Sequence, residues 1–122
     1  MIKTIEDKNT EIFKSKIIII LSKELDKNSN IINIQDYVEN GKSYIPVFTS
    51  IDKFNESTKG INLGKGKIEI DGIFLLLLIN GNETLRINPG LTDEQSFKAS
   101  DLLVKYKTEI EELKIKMNNL KK

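Results

Sequence analysis

Two segments of this chain, residues 44–50 (YIPVFTS) and 87–90 (INPG), each run an apolar, strand-like stretch into a short polar turn. A residue pattern typical of a helix start follows each turn, so strands and helices are expected to alternate along the chain. We therefore predict an α+β fold, with a mixed sheet of about four or five strands flanked by helices. Neither segment contains a group that does chemistry, so the pair predicts fold more than activity.

Apolar patterns also predict the other strands. Four consecutive isoleucines within residues 16–22 are typical of a strand buried on both faces, because β-branched side chains pack well in a pleated sheet. Residues 67–70 alternate charged and apolar side chains, which predicts a half-exposed strand. Residues 83–87 form the final predicted strand. Pro46 within residues 44–49 predicts a sheet edge, a bulge or a strand start.

Helix signals are found in three further places. A short amphipathic helix is predicted over residues 2–14, and Ser50 is expected to cap a helix over residues 51–57. Residues 73–79 (IFLLLLI) fit either a buried helix or a buried strand, since periodicity does not separate the two. Leucine outnumbers the β-branched residues there, which favours a helix.

The C-terminal segment carries the clearest helix pattern. A capping box from Thr92 to Gln95 predicts a long helix over about residues 92–121. Apolar residues in this helix recur at steps of three and four: Ala99, Leu103, Tyr106, Ile110, Leu113, Met117 and Leu120. A stripe this narrow is typical of a coiled-coil seam, which predicts that the residues from Leu103 to Leu120 form a homodimer interface. The alternative is one amphipathic helix packed on the chain's own sheet.

Composition excludes several classes of site. The 122 residues form one predicted domain, residues 1–122, with no histidine, no cysteine and a net charge of +1. The usual general base, thiol nucleophile and zinc ligands are missing, so we expect no enzyme, no cofactor and no metal site. The balanced charge argues against a nucleic-acid partner. The longest apolar runs are shorter than the roughly 20 residues of a membrane span, so no membrane partner and a cytoplasmic location are expected.

The order of these segments resembles the N-terminal domain of the SseB family, named for enhanced serine sensitivity in bacteria. The resemblance covers about residues 12–95 and includes the isoleucines 17–20, residues 41–50 (GKSYIPVFTS), the apolar segment 73–78 and residues 87–90 (INPG). It implies a small α+β domain without an established enzymatic role and with no catalytic residues. The long C-terminal helix departs from the family pattern.

The ends of two strands form the candidate site. If the strands that lead to Ser50 and Asn88 run parallel, their ends share the edge where α/β sheets place ligands. The predicted ligand- or partner-binding residues are Phe48, Thr49, Ser50, Arg86, Asn88 and Gly90. Each has a structural alternative. Ser50 is then a helix cap, Phe48 a core residue and Asn88 part of a turn, while Arg86, the only arginine, forms a surface or cross-strand ion pair.

These observations lead to three hypotheses about function. The preferred one is a non-catalytic binding or regulatory module of the SseB type that recognises a protein or a small anionic ligand at the strand ends. The second is a toxin-neutralising immunity protein, because small cytoplasmic α+β domains often serve that purpose. The third is a structural module that forms a homodimer through the C-terminal helix.

Overall fold

The computed structural model describes residues 11–22, 33–59 and 66–120. Within these ranges the chain forms one α+β domain on a mixed sheet of six strands, which confirms the predicted fold class. The strands are β1 (Lys16–Ile20), β2 (Tyr37–Glu39), β3 (Lys42–Phe48), β4 (Lys67–Asp71), β5 (Thr84–Ile87) and β6 (Gln95–Lys98). The helices are α1 (Ile51–Ser57), α2 (Gly72–Leu78), α3 (Ala99–Lys105) and α4 (Lys107–Leu120), and a 3-10 turn spans Glu11–Lys14.

One parallel pair organises the sheet. The main path runs β4-β1-β3-β5-β6, and β2 pairs with β3 beside that path. β3 and β5 are parallel, with Ile45 opposite Leu85, whereas the other pairs among the described strands are antiparallel. Parallel neighbours require a crossover connection, and the chain between β3 and β5 supplies it with α1, β4 and α2. β3 and β5 therefore end at the same edge.

The isoleucine strand β1 is buried on both faces, as predicted. Ile17 and Ile19 belong to the main core, and Ile18 and Ile20 pack on the opposite face of the sheet with Phe48. β1 lies between β4 and β3, and both of its edges are paired at Ile18 and Ile19. Each fully buried isoleucine contributes about 1.5–3 kcal/mol relative to an exposed one.

Helices α2, α3 and α4 cover one face of the sheet and enclose the main core. The apolar segment 73–79 lies mostly in α2, which confirms the helix that its leucines favoured. Leu75 and Leu76 are buried, while Leu78 is exposed. The rings of Phe13 and Phe97 meet edge-on at 5.8 Å between centroids, which joins the 3-10 turn to β6.

The capping-box prediction at Thr92 is wrong, because the residues that follow it form strand β6. Phe97 lies opposite Leu85 of β5 and is 1% exposed, and Thr84 pairs with Lys98. Sheet pairing and the burial of an aromatic ring outweigh a local helix signal. The strand at 84–87 is thus not the last one, and the C-terminal helical segment begins at Ala99 rather than at about residue 92.

The C-terminal helical segment also has a break. Tyr106 separates α3 from α4, and its buried ring lies 6.5 Å from that of Phe13. Ala99, Tyr106 and Ile110 belong to the chain's own core, and Leu103 packs against it.

The predicted dimer interface is therefore wrong for Tyr106 and Ile110, whose side chains are buried within the same chain. Leu113 and Met117 are half-buried, and the side chain of Leu120 lies outside the described part. Self-association stays a prediction for this end of α4.

Pro46 lies inside a central strand, contrary to the prediction of an edge, a bulge or a strand start. The N–H of Asn88 donates to the carbonyl of Val47, so the main-chain groups of Val47 face β5 and those of Pro46 face the other way. On that side β3 changes partner, from β2 at Tyr44 to β1 at Val47. Proline has no N–H to donate, but Pro46 lies between the residues of β3 that pair with β2 and those that pair with β1. No hydrogen bond of the sheet is therefore lost there.

Some predictions lie outside the described residues. These are residues 2–10 of the helix predicted over residues 2–14, whose remaining four residues form the 3-10 turn, and residue 121 at the end of the predicted C-terminal helix. Within the described ranges, no helix has the length and apolarity to cross a membrane.

Candidate functional site

The two polar strand ends lie side by side, as the candidate site requires. Asn88 is 1% exposed, and its side-chain Oδ1 accepts a hydrogen bond from the N–H of Thr49 at 3.1 Å. Its Nδ2 donates to the Thr49 hydroxyl and to the Asp93 carboxylate, both at 3.1 Å. A backbone φ of 50° places Asn88 in the left-handed region, where asparagine is well tolerated.

Asn88 therefore ties the end of β3 to the end of β5, and its side chain is buried and fully engaged. It positions the site and does not face a ligand, which corrects its predicted binding role. The sequence predicted that the two strand ends lie close together. It did not predict that Asn88, which connects them, is buried.

Ser50 and Phe48 have the structural roles that the sequence offered as alternatives. The Ser50 hydroxyl accepts a hydrogen bond from the N–H of Lys53 at 3.1 Å and so caps α1. Phe48 is 1% exposed and meets Phe54 of α1 edge-on at 5.0 Å between ring centroids. These two contacts fix α1 on the face of the sheet opposite α2–α4.

Arg86 forms the cross-strand ion pair that the sequence suggested, and it joins three elements. Its Nη2 donates to Glu94 Oε1 at 2.7 Å, and its Nη1 donates to Glu39 Oε2 at the end of β2. The guanidinium carbon lies 4.5 Å from the centroid of the Tyr44 ring, a cation–π arrangement. The hydrogen bond with Glu94 is the largest cause that raises the pKa of Arg86, and that with Glu39 adds to it.

Glu94 closes the turn between β5 and β6. The N–H of Gly90 donates to Glu94 Oε1 at 2.6 Å, and this bond is the largest cause that lowers the pKa of Glu94; Arg86 lowers it further. The acidic residues 93 and 94, assigned by sequence to a helix start, in fact hold this turn to Asn88 and Arg86.

An open cleft lies on the α1 face of the sheet, beside the joined strand ends. We call it the sheet-face cleft; its volume is about 360 Å³. The lining residues are Ile20, Tyr37, Val38, Glu39, Tyr44, Pro46, Phe48, Ser57, Thr58, Arg86, Pro89 and Gly90. The floor comes from alternate residues of β3 and from Arg86 of β5, since Pro46 and Arg86 are paired neighbours.

Three predicted site residues line this cleft: Phe48, Arg86 and Gly90. Thr49 and Ser50 lie next to it, at the start of α1. Strand β2, which forms one wall of the cleft, was not predicted from the sequence. Asn40-Gly41 between two strand-like stretches is nevertheless a strong hairpin signal. In the structure both turn residues have positive φ, 54° and 79°, which a two-residue hairpin of this kind requires.

The groups around the cleft are suited to binding. Burial is the main cause that raises the pKa of Tyr37, so its hydroxyl stays protonated. The shifts of Arg86 and Glu94 likewise stabilise the charges that these groups already carry at pH 7, whereas a general acid or base needs a pKa near the working pH. Among the described residues, no group of three or more potential metal ligands occurs.

Comparison with known proteins leaves the site to be interpreted from its own geometry. The chain matches no protein-family model, no curated protein and no solved structure.

Proposed function

We propose that this protein is a non-catalytic binding module, of the kind its resemblance to the SseB family implies, and that it recognises a partner protein at the sheet-face cleft. The observation that carries the proposal is the cleft itself, which is apolar at the floor, polar at the rim and open beside two strand ends that a buried asparagine holds together. Its volume lies in the range of sites that take small molecules or a few side chains.

Aromatic side chains at the cleft favour a protein partner. Tyr37 and Tyr44 are cross-strand neighbours that both line the cleft, and their rings lie 6.2 Å apart between centroids. Tyrosines grouped around a pocket are typical of the centres of protein interfaces.

The state of Arg86 argues against a small anion, the other ligand class predicted from the sequence. The guanidinium already binds Glu39 and Glu94, and Tyr44 covers one of its faces. An anion would have to displace a carboxylate that is held by the N–H of Gly90 as well.

The test compares lysine substitutions on two different surfaces. Tyr37 lines the cleft, and Val104 on α3 is 78% exposed on the helical side of the domain. Wild-type, Tyr37→Lys and Val104→Lys proteins are immobilised, partners are captured from a lysate of the producing cells, and each captured protein is then purified and titrated directly. The proposal expects a partner whose affinity falls at least about tenfold for Tyr37→Lys and is retained by Val104→Lys.

Equal binding by both variants would remove the cleft as the recognition surface. Circular dichroism of both variants provides the control for folding. Inhibition of a captured toxin would identify the immunity form of this binding function.

A further inference from the structure

Two carboxylates surround the guanidinium of Arg86 beside the sheet-face cleft. Arg86 is the only cation that lines the cleft, and it binds Glu39, which also lines the cleft, and Glu94, which does not. This group of three residues therefore carries one net negative charge. Glu39 remains 56% exposed in its side chain, and the contact with Arg86 uses its Oε2.

The apolar and acidic parts of the cleft are adjacent. Tyr44, Pro46 and Phe48 alternate along β3 and share the floor, and Glu39 stands at the end of the paired strand β2. When a bound segment places an apolar side chain on this floor, the next residue of that segment lies close to the Glu39 carboxylate. Charge complementarity at such a rim selects a cation, because a like charge there costs free energy.

We infer that the occupant of the cleft is a short segment of a partner protein that carries a bulky apolar side chain beside a lysine or arginine. The inference rests on the proposed function and adds to it the chemical class of the partner. The apolar side chain lies over Tyr44 and Pro46, and the cation pairs with Glu39.

The test uses random peptides displayed on phage and selected against the whole chain. Enriched sequences are synthesised with a fluorescent label and titrated by anisotropy against wild type, Tyr37→Lys, Glu39→Gln and Glu111→Gln. Glu111 is an exposed carboxylate on α4 and is the matched control for charge. Thermal unfolding by circular dichroism verifies that each variant is folded.

The expected result is enrichment of peptides with lysine or arginine within a few residues of a large apolar residue. Their affinity falls about two- to fivefold for Glu39→Gln, as for a single exposed ion pair, more strongly for Tyr37→Lys, and not for Glu111→Gln. Added salt weakens binding to wild type more than to Glu39→Gln.

Two kinds of result would overturn the inference, and they differ in what they leave standing. Acidic or uncharged peptides that bind in a Tyr37-dependent manner, or basic peptides that bind Glu39→Gln as tightly as wild type, refute the partner's charge and leave the cleft as a binding site. The absence of any Tyr37-dependent peptide refutes the inference and counts against the proposed function as well.

Discussion

At the scale of single residues, a few side chains connect parts of the chain that are distant in sequence. Asn88 bonds across 39 positions to Thr49, and Arg86 bonds across 47 positions to Glu39. Asn88 is the only polar residue that is buried within the described ranges. Local patterns gave no sign of this, because Asn88-Pro89-Gly90 is an ordinary turn composition.

Replacement of Asn88 by alanine is expected to lower the free energy of unfolding by about 1–3 kcal/mol, because the partly buried N–H of Thr49 loses its acceptor. Urea denaturation followed by circular dichroism measures the change. Asn82→Ala, at an exposed position in the loop before β5, is the control and should stay within about 0.5 kcal/mol of wild type. Equal stability of the two variants would contradict the role of Asn88 as a clamp.

At the scale of elements, the sequence predicted the elements that their own residues stabilise and missed those that depend on pairing with another strand. Strand β1 and helix α1 were predicted because their own residues determine them, through β-branched packing and the Ser50 cap. β6 and the three-residue β2 were missed because they depend on pairing with β5 and β3. The parallel pairing of β3 and β5 was anticipated from polar turns at both ends, whereas the wall of the cleft depends on β2 and was not.

The junction between β4 and α2 provides a test at this scale. A Cβ added to Gly72 would lie 2.4 Å from the carbonyl oxygen of Phe13, so the 3-10 turn packs directly on this glycine. Gly72→Ala is expected to destabilise the protein by about 1–3 kcal/mol, the usual cost of overpacking, as measured by urea denaturation.

The clash is with the main chain of Phe13, so a smaller side chain at position 13 should not relieve it. The double variant with Phe13→Leu is the control. If it were as stable as Phe13→Leu alone, the close approach at Gly72 would be refuted.

At the scale of the whole molecule, the sheet separates a closed side from an open one. The closed side holds the main core under α2, α3 and α4, and the open side holds α1 and the sheet-face cleft. The turn after β5 is held in place on the open side, since Glu94 binds both Gly90 and Arg86. The stability of the domain should therefore depend on the charge of that carboxylate.

The lowered pKa of Glu94 sets the sign of the pH dependence. A carboxyl with a lower pKa when folded stabilises the protein fully above its unfolded value of about 4.3, and the effect is lost as the pH falls through the folded value. We expect Glu94→Gln to be less stable than wild type at pH 7 and to approach it at pH 3. Urea midpoints at both pH values measure the difference; a gap that is constant with pH would contradict this role.

The alternation along β3 has a consequence for how such a protein can diversify. Ile45 and Val47 point into the main core, whereas Tyr44 and Pro46 line the cleft. Under the proposed function, substitutions at Tyr44 change the surface that meets the partner, while Ile45 and Val47 preserve the packing of the core. Neighbouring residues of one strand can therefore change separately, so a new specificity need not require a new architecture.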